Sequence, residues 1–183
     1  MVLFVYVDNS NVWIEGRRAS AVAKGLAPNA WEASQDDVLD MDWTYDFGRL
    51  YELACPSDNA IGRSVLFGSR PPPNDSLWQT ARDQGFEVEV FDRSPSGKEK
   101  QVDTGIVTMM IEDSFQHMKA DRGDIAVLLA GDRDYVPAVA SLGSRGIGTR
   151  VVFWQHATAV DLQTAAFEFV PLDPHLDELA RRS

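Results

Sequence analysis

Short, nearly unbroken apolar runs recur along the chain, with helical spacing between them. "VLFVYV" (Val2 to Val7) is the first. Such a run shows no polar/apolar alternation, so it reads as a strand covered on both faces, as in a parallel sheet under helices. "RSVLFGS" (Arg63 to Ser69), "FEVEVF" (Phe86 to Phe91), "DIAVLLAG" (Asp124 to Gly131) and "GTRVVFW" (Gly148 to Trp154) repeat the pattern. "FEFVPL" (Phe167 to Leu172) reads as an edge strand, because its proline cannot donate to a central ladder. Helices are expected over Asp46 to Leu53, Asp75 to Gln84 (capped by Asn74 or Asp75), Val102 to Met118 and Tyr135 to Ser144. Strand alternating with helix indicates an α/β fold.

The chain has 183 residues, enough for one domain. We assign the domain to residues 1–172 and a tail to 173–183, whose expected state is a frayed terminus. Residues 19–44 are the hardest stretch to place. They include "WEASQDDVLDMDW", with five acids and two tryptophans, and read as a helix extension plus loop or as an insertion. "SRPPPND" and "RSPSGKEKQ" read as exposed loops.

Acids recur at equivalent places. Asp8 follows the first strand, Asp132 and Asp134 follow "VLLAG", and Asp103 opens the helix after the third strand. In a parallel sheet the strand C-termini share one edge, so topology brings these carboxylates together. Each has an ordinary alternative. Asp8 is a turn or helix cap, Asp134 a cap, and Asp103 a first-turn acid favoured by the helix dipole. Carboxylates this close repel unless a cation lies between them. Oxygen ligands with no nearby Cys or His suit Mg²⁺ or Mn²⁺. Both readings stand at this level.

The formal net charge of −11 opposes nucleic acid globally, so basic residues near the acidic edge matter. Arg17, Arg70 and Lys100 are candidates to contact a phosphate backbone. Ser10 and Asn11 are candidates to orient substrate or water. Trp13, Trp31 and Trp43 can stack bases, or simply fill core and interface. One cysteine excludes an intrachain disulfide framework. No run is long enough to span a membrane. The first residues lack a basic region, and their apolar run is shorter than a signal-peptide core, so a cytoplasmic location is expected. No nucleophile elbow, Walker A or dinucleotide fingerprint occurs.

"VYVDNSNVW", "YDFGRLYEL", "EKQVDTGIVTMMIED" and "VLLAGDRDYVPAVASLGSRGIGTRVVFW" together resemble the NYN domain family, the LabA-like branch of the PIN-like nucleases. The resemblance implies a PIN-like three-layer α/β/α sandwich with a central, mostly parallel sheet. It also implies an aspartate cluster binding Mg²⁺ or Mn²⁺, and RNA cleavage. By motif, Asp8, Asp103, Asp132 and Asp134 match the family acids, Asn11 the polar residue after the first, and Lys100 the base before "VD". Many members carry another acid two turns along that helix. Here Met109 stands near that place, with Glu112 and Asp113 just beyond.

The expected function is a metal-dependent ribonuclease, in which a metal-activated water held by the four aspartates attacks the phosphodiester of single-stranded RNA. The rival is a non-catalytic RNA-binding or regulatory module of the same fold. Arg133 favours that rival, since its guanidinium can occupy an acidic pocket in place of a cation. A phosphatase or nucleotidyl-transfer enzyme using the same edge is a third reading. A homo-oligomer is compatible with the sequence.

Overall fold

A computed structural model describes residues 1–70, 75–92 and 100–181, apart from the side chains of residues 70, 75, 92 and 100. The chain runs β1 (Val2–Asp8), α1 (Asn9–Ala23), α2 (Ala30–Gln35), α3 (Phe47–Ala54), β2 (Ala60–Arg70), α4 (Asp75–Asp83) and β3 (Glu87–Asp92). It continues with α5 (Lys100–Gln116), β4 (Ile125–Leu129), α6 (Val136–Ser144), β5 (Gly148–Phe153), α7 (Val160–Ala165), β6 (Glu168–Pro171) and α8 (Leu176–Leu179).

The strands form one sheet in the order β3-β2-β1-β4-β5-β6, and every neighbouring pair is parallel. Leu3 to Asp8 are all buried, as an unbroken apolar strand at the centre requires. The proline-bearing β6 is indeed an edge. From β1 the chain winds one way through β2 and β3. It then returns past β1 to β4 and winds the other way. Right-handed crossovers place the helices of the two halves on opposite faces. α1, α3, α4 and α8 pack together on one face, and α5, α6 and α7 on the other, giving three layers. The order reverses between β1 and β4, and in open α/β sheets the crevice at such a reversal is where ligands bind.

Several elements differ from expectation. The sheet is wholly rather than mostly parallel. β2 starts at Ala60 instead of Arg63, because it pairs with β1 from Val2 onward. α1, a helix absent from the expected set, begins directly after Asp8, which caps it. Residues 19–44 begin as the extension of α1 to Ala23 and then pack back onto it, as the helix-extension reading has it. Ser20 Oγ donates to the buried Asp40 at 2.5 Å, and Lys24 Nζ lies 2.7 Å from the same carboxylate. The Trp43 ring lies over Gly16, which leaves no space for a side chain there.

The tail is not frayed over residues 173–181. Ala180 bridges Tyr45, Arg49 Nη1 donates to the carbonyls of Glu178 and Ala180 at 2.7 and 2.9 Å, and Leu179 is buried. The proposed Asn74 cap and most of the two loops lie outside the described residues. Among the described residues no helix is long and apolar enough to cross a membrane.

Candidate functional site

Asp8 ends β1 at the centre of the sheet and is only 2 % exposed. Its Oδ1 accepts the Asn11 backbone N–H at 3.1 Å, so it caps α1. A cap relieves one of the unsatisfied N–H groups at a helix start. The capping reading of Asp8 is borne out, and a cap made through Oδ1 does not exclude a second role for the carboxylate. One turn of α1 returns the Asn11 side chain to the same carboxylate, where Nδ2 donates to Oδ2 at 2.9 Å. The same nitrogen lies 3.4 Å from Oδ2 of Asp132, beyond the end of β4. Its two hydrogens thus serve two acids on either side of the sheet reversal.

The third acid arrives through Tyr135. This tyrosine closes the 3-10 turn Arg133–Tyr135 and is fully buried. Its hydroxyl donates to Asp103 Oδ1 at 2.8 Å and lies 3.5 Å from Asp8 Oδ2. A hydroxyl has one proton, so the shorter contact is the hydrogen bond and the longer one an electrostatic neighbour. Burial, then the charges of Asp8 and Asp103, push the Tyr135 phenol far above its ordinary range. It remains protonated, a fixed donor that cannot act as a base.

Asp8, Asp103 and Asp132 are therefore tied into one network by two neutral donors. Asp134 is placed differently. Like Asp132 it is exposed, but it makes no hydrogen bond or ion pair to the described residues. Arg133 does not enter the acidic pocket. Its Nη2 lies 2.9 Å from Asp161 Oδ2 at the surface. Arg17 spends its guanidinium on the fold. Nε and Nη2 donate to the carbonyls of Trp43 and Met41 at 3.0 Å each, and Cζ lies 3.9 Å above the centre of the Trp13 ring. Ser10 is half-buried in the first turn of α1. Arg70 ends β2 and Lys100 starts α5, but their side chains lie outside the described residues.

Two contributors escape the sequence reading. Tyr135 stands inside "GDRDY", and its signal is that a tyrosine buried there must give its hydroxyl a polar partner. Tyr45 donates to Asn9 Oδ1, and burial followed by the Asp8 charge raises its phenol as well. Nothing local links Tyr45 to Asn9. Asp113, beyond Met109, belongs elsewhere. It is buried, accepts from Tyr6 Oη at 2.7 Å and pairs with Arg63 Nη1 at 2.8 Å. That makes it an internal anchor between α5 and the sheet. None of the three histidines joins the acids. His156 and His175 face Glu15 and Glu178, and His117 lies near Asp113.

The NYN domain pattern matches residues 5–173, nearly the whole chain. The chain belongs to the NYN domain family. NYN domains are part of the PIN-like nuclease superfamily, whose nucleases are generally divalent-metal dependent. A solved structure with this architecture is the crystal structure of a protein of unknown function, VPA0982, from Vibrio parahaemolyticus RIMD 2210633. It shares 17% identity and a TM-score of 0.69, over 98% of this chain and 96% of that one. At that identity the likeness bears on fold alone. No curated protein matches the chain.

The donor set at the β1–β4 crevice of this NYN domain suits a hard divalent cation, because it consists of carboxylate oxygens with no thiolate or imidazole. Among the described residues no three acidic, histidine or cysteine side chains stand close enough to ligate one ion together. Asn11 and Tyr135 instead hold the three carboxylates beside one another through hydrogen bonds, which lets neighbouring anions coexist.

Proposed function

We propose that this NYN domain cleaves RNA phosphodiester bonds in a reaction dependent on Mg²⁺ or Mn²⁺. The observation that supports this most strongly is the single network of Asp8, Asn11, Asp132, Tyr135 and Asp103 at the sheet reversal. Asp8, Asp103 and Asp132 would hold the cation once drawn closer than their hydrogen-bonded spacing here, with Asp134 as an outer carboxylate near the approaching RNA. When bound, the cation supplies charge for the developing oxyanion and acidifies water.

The chain's own residues do the positioning. Asn11 keeps its Nδ2 on the acids, which turns its Oδ1 away from them as an acceptor. Tyr135 holds Asp103 by donation and stays neutral. Capping of α1 fixes the Asp8 carboxylate at the end of β1. The α1 start also presents Ser10 beside the acids. Lys100 and Arg70, from their strand- and helix-end positions, are assigned to the RNA backbone, and single-stranded RNA is the substrate form we assign. Arg17 is reassigned from phosphate contact to support of Trp13. Arg133, paired with Asp161, no longer favours the non-catalytic module.

The test is cleavage of labelled single-stranded RNA, structured RNA and DNA with Mg²⁺, Mn²⁺ or EDTA, beside Asp8→Asn and Asp132→Asn. RNA cleavage that needs the cation and both acids is expected. Cleavage indifferent to EDTA and to both substitutions would overturn the reading. Binding without cleavage under all conditions would establish the non-catalytic module.

A further inference from the structure

A cavity of about 330 Å³ opens beside the acids on the α1 side of the sheet, lined by Asn9, Ser10, Trp13, Tyr45, Trp78 and Arg181 among others. We infer that it seats one unpaired nucleobase of the RNA, next to the nucleotide whose phosphate is cleaved. This inference rests on the RNA-cleaving reading and names a substrate subsite within it.

The first argument is shape and chemistry. The volume lies at the small end of the range for ligand sites, which are concave, mostly apolar and marked by a few placed polar groups. Trp13 supplies an exposed aromatic face and the buried Trp78 part of the cavity wall, and base–aromatic stacking tolerates any base because every base has a π-face. A neutral base also suits a chain of net charge −11 better than further phosphate contacts would.

The second argument is preorganisation. The Arg17 guanidinium covers one face of the Trp13 ring and is itself fixed by the Met41 and Trp43 carbonyls. The indole is thus braced by Arg17 while 37 % of Trp13 stays exposed. Trp78 is buried against Gly68, where a Cβ would lie 2.2 Å from its ring. Platforms held this way lose little entropy on binding.

The third argument is polarity. Tyr45 Oη donates to Asn9 Oδ1, which fixes the amide so that Nδ2 remains a donor with no partner among the described residues. Donors of this kind suit the exocyclic carbonyl oxygens of bases. Arg181 is anchored through its backbone N–H to the Thr44 carbonyl at 2.8 Å, and its guanidinium is exposed at the same cavity, suited to an adjacent phosphate. Asn9 and Ser10 directly follow Asp8, so the cavity and Asp8 meet at the first turn of α1.

The test measures binding of a fluorescein-labelled single-stranded RNA pentamer to the wild-type protein in EDTA, where metal-dependent cleavage is silent. A series of pentamers abasic at one position each is run beside it. Trp13→Ala should weaken binding about tenfold, and Trp13→Phe by much less. One abasic position should weaken wild-type binding similarly and leave Trp13→Ala unaffected. Thr80→Phe, on the exposed face of α4 at the cavity, should also block binding and does not depend on tolerance of the Trp13 change. Equal binding by all variants, or no position-specific abasic loss, would overturn the inference, as would no RNA binding at all. Cation-dependent cleavage with unchanged binding in these variants would sink the subsite and leave the nuclease reading standing. Base-specific binding without cleavage would do the reverse.

Discussion

Asn11 Nδ2 stands 2.9 Å from Asp8 Oδ2 and reaches Asp132 Oδ2 at 3.4 Å. One neutral amide therefore separates two carboxylates carried by adjacent central strands. Asn11→Asp keeps the shape and replaces both donated hydrogens with a third anion. In EDTA the variant should lose about 1–3 kcal/mol of stability, from lost donors and like-charge repulsion. Mn²⁺ should raise its melting temperature by more than it raises that of the wild type, since a ligand of the folded state stabilises by mass action. Thermal melts with and without Mn²⁺ check this, and equal increments in both proteins would refute it.

Tyr135→Phe removes one oxygen and leaves the ring in its pocket. Asp103 then loses that donor and is held less tightly. Groups that orient ligating carboxylates typically matter by about 10- to 100-fold in metal affinity. Weakening of Mn²⁺ binding in that range is expected by calorimetric titration, with the fold intact by circular dichroism. Unchanged Mn²⁺ affinity would remove Tyr135 from the site.

Gly131 forms the passage from β4 to Asp132. A Cβ there would lie 2.2 Å from the Ala157 carbonyl oxygen and 2.6 Å from the Phe153 ring. The first obstacle is backbone and cannot rotate away. Gly131→Ala should destabilise by about 1–3 kcal/mol, seen as a lower urea midpoint at unchanged slope, and should displace Asp132. A midpoint equal to wild type would show that the loop yields freely.

Alkaline pH offers a separate test. Tyr6, Tyr45 and Tyr135 all have phenols raised from 10.0, first by burial and then by nearby carboxylates. In the unfolded chain they ionise near pH 10. Below that pH both states are protonated and the contribution is fully present. Above it, unfolding releases protons that the folded state retains, so stability declines as pH rises. Absorbance at 295 nm should show the phenolates of these three appearing only with cooperative loss of far-UV ellipticity. Smooth titration of all four tyrosines with the fold intact would contradict it.

Much of this molecule is legible in its residues alone. The apolar runs of β1, β4 and β5 specify buried parallel strands, because burial on both faces leaves no room for alternation. Once those strands are parallel, the edge shared by Asp8, Asp103 and Asp132 follows from connectivity. Which side chains then meet is another matter. Arg133 is equally near two acids in sequence, yet it pairs with Asp161 on α7. Asp134 faces solvent two residues from Asp132, and Tyr135 between sheet and α5 is the residue that binds Asp103. Arg17, basic and close to Asp8 in the chain, turns to the Met41 and Trp43 carbonyls. Backbone periodicity is a local property, written every two or four residues. Side-chain pairing depends on which partners packing brings within about 3 Å, and only the folded chain decides that.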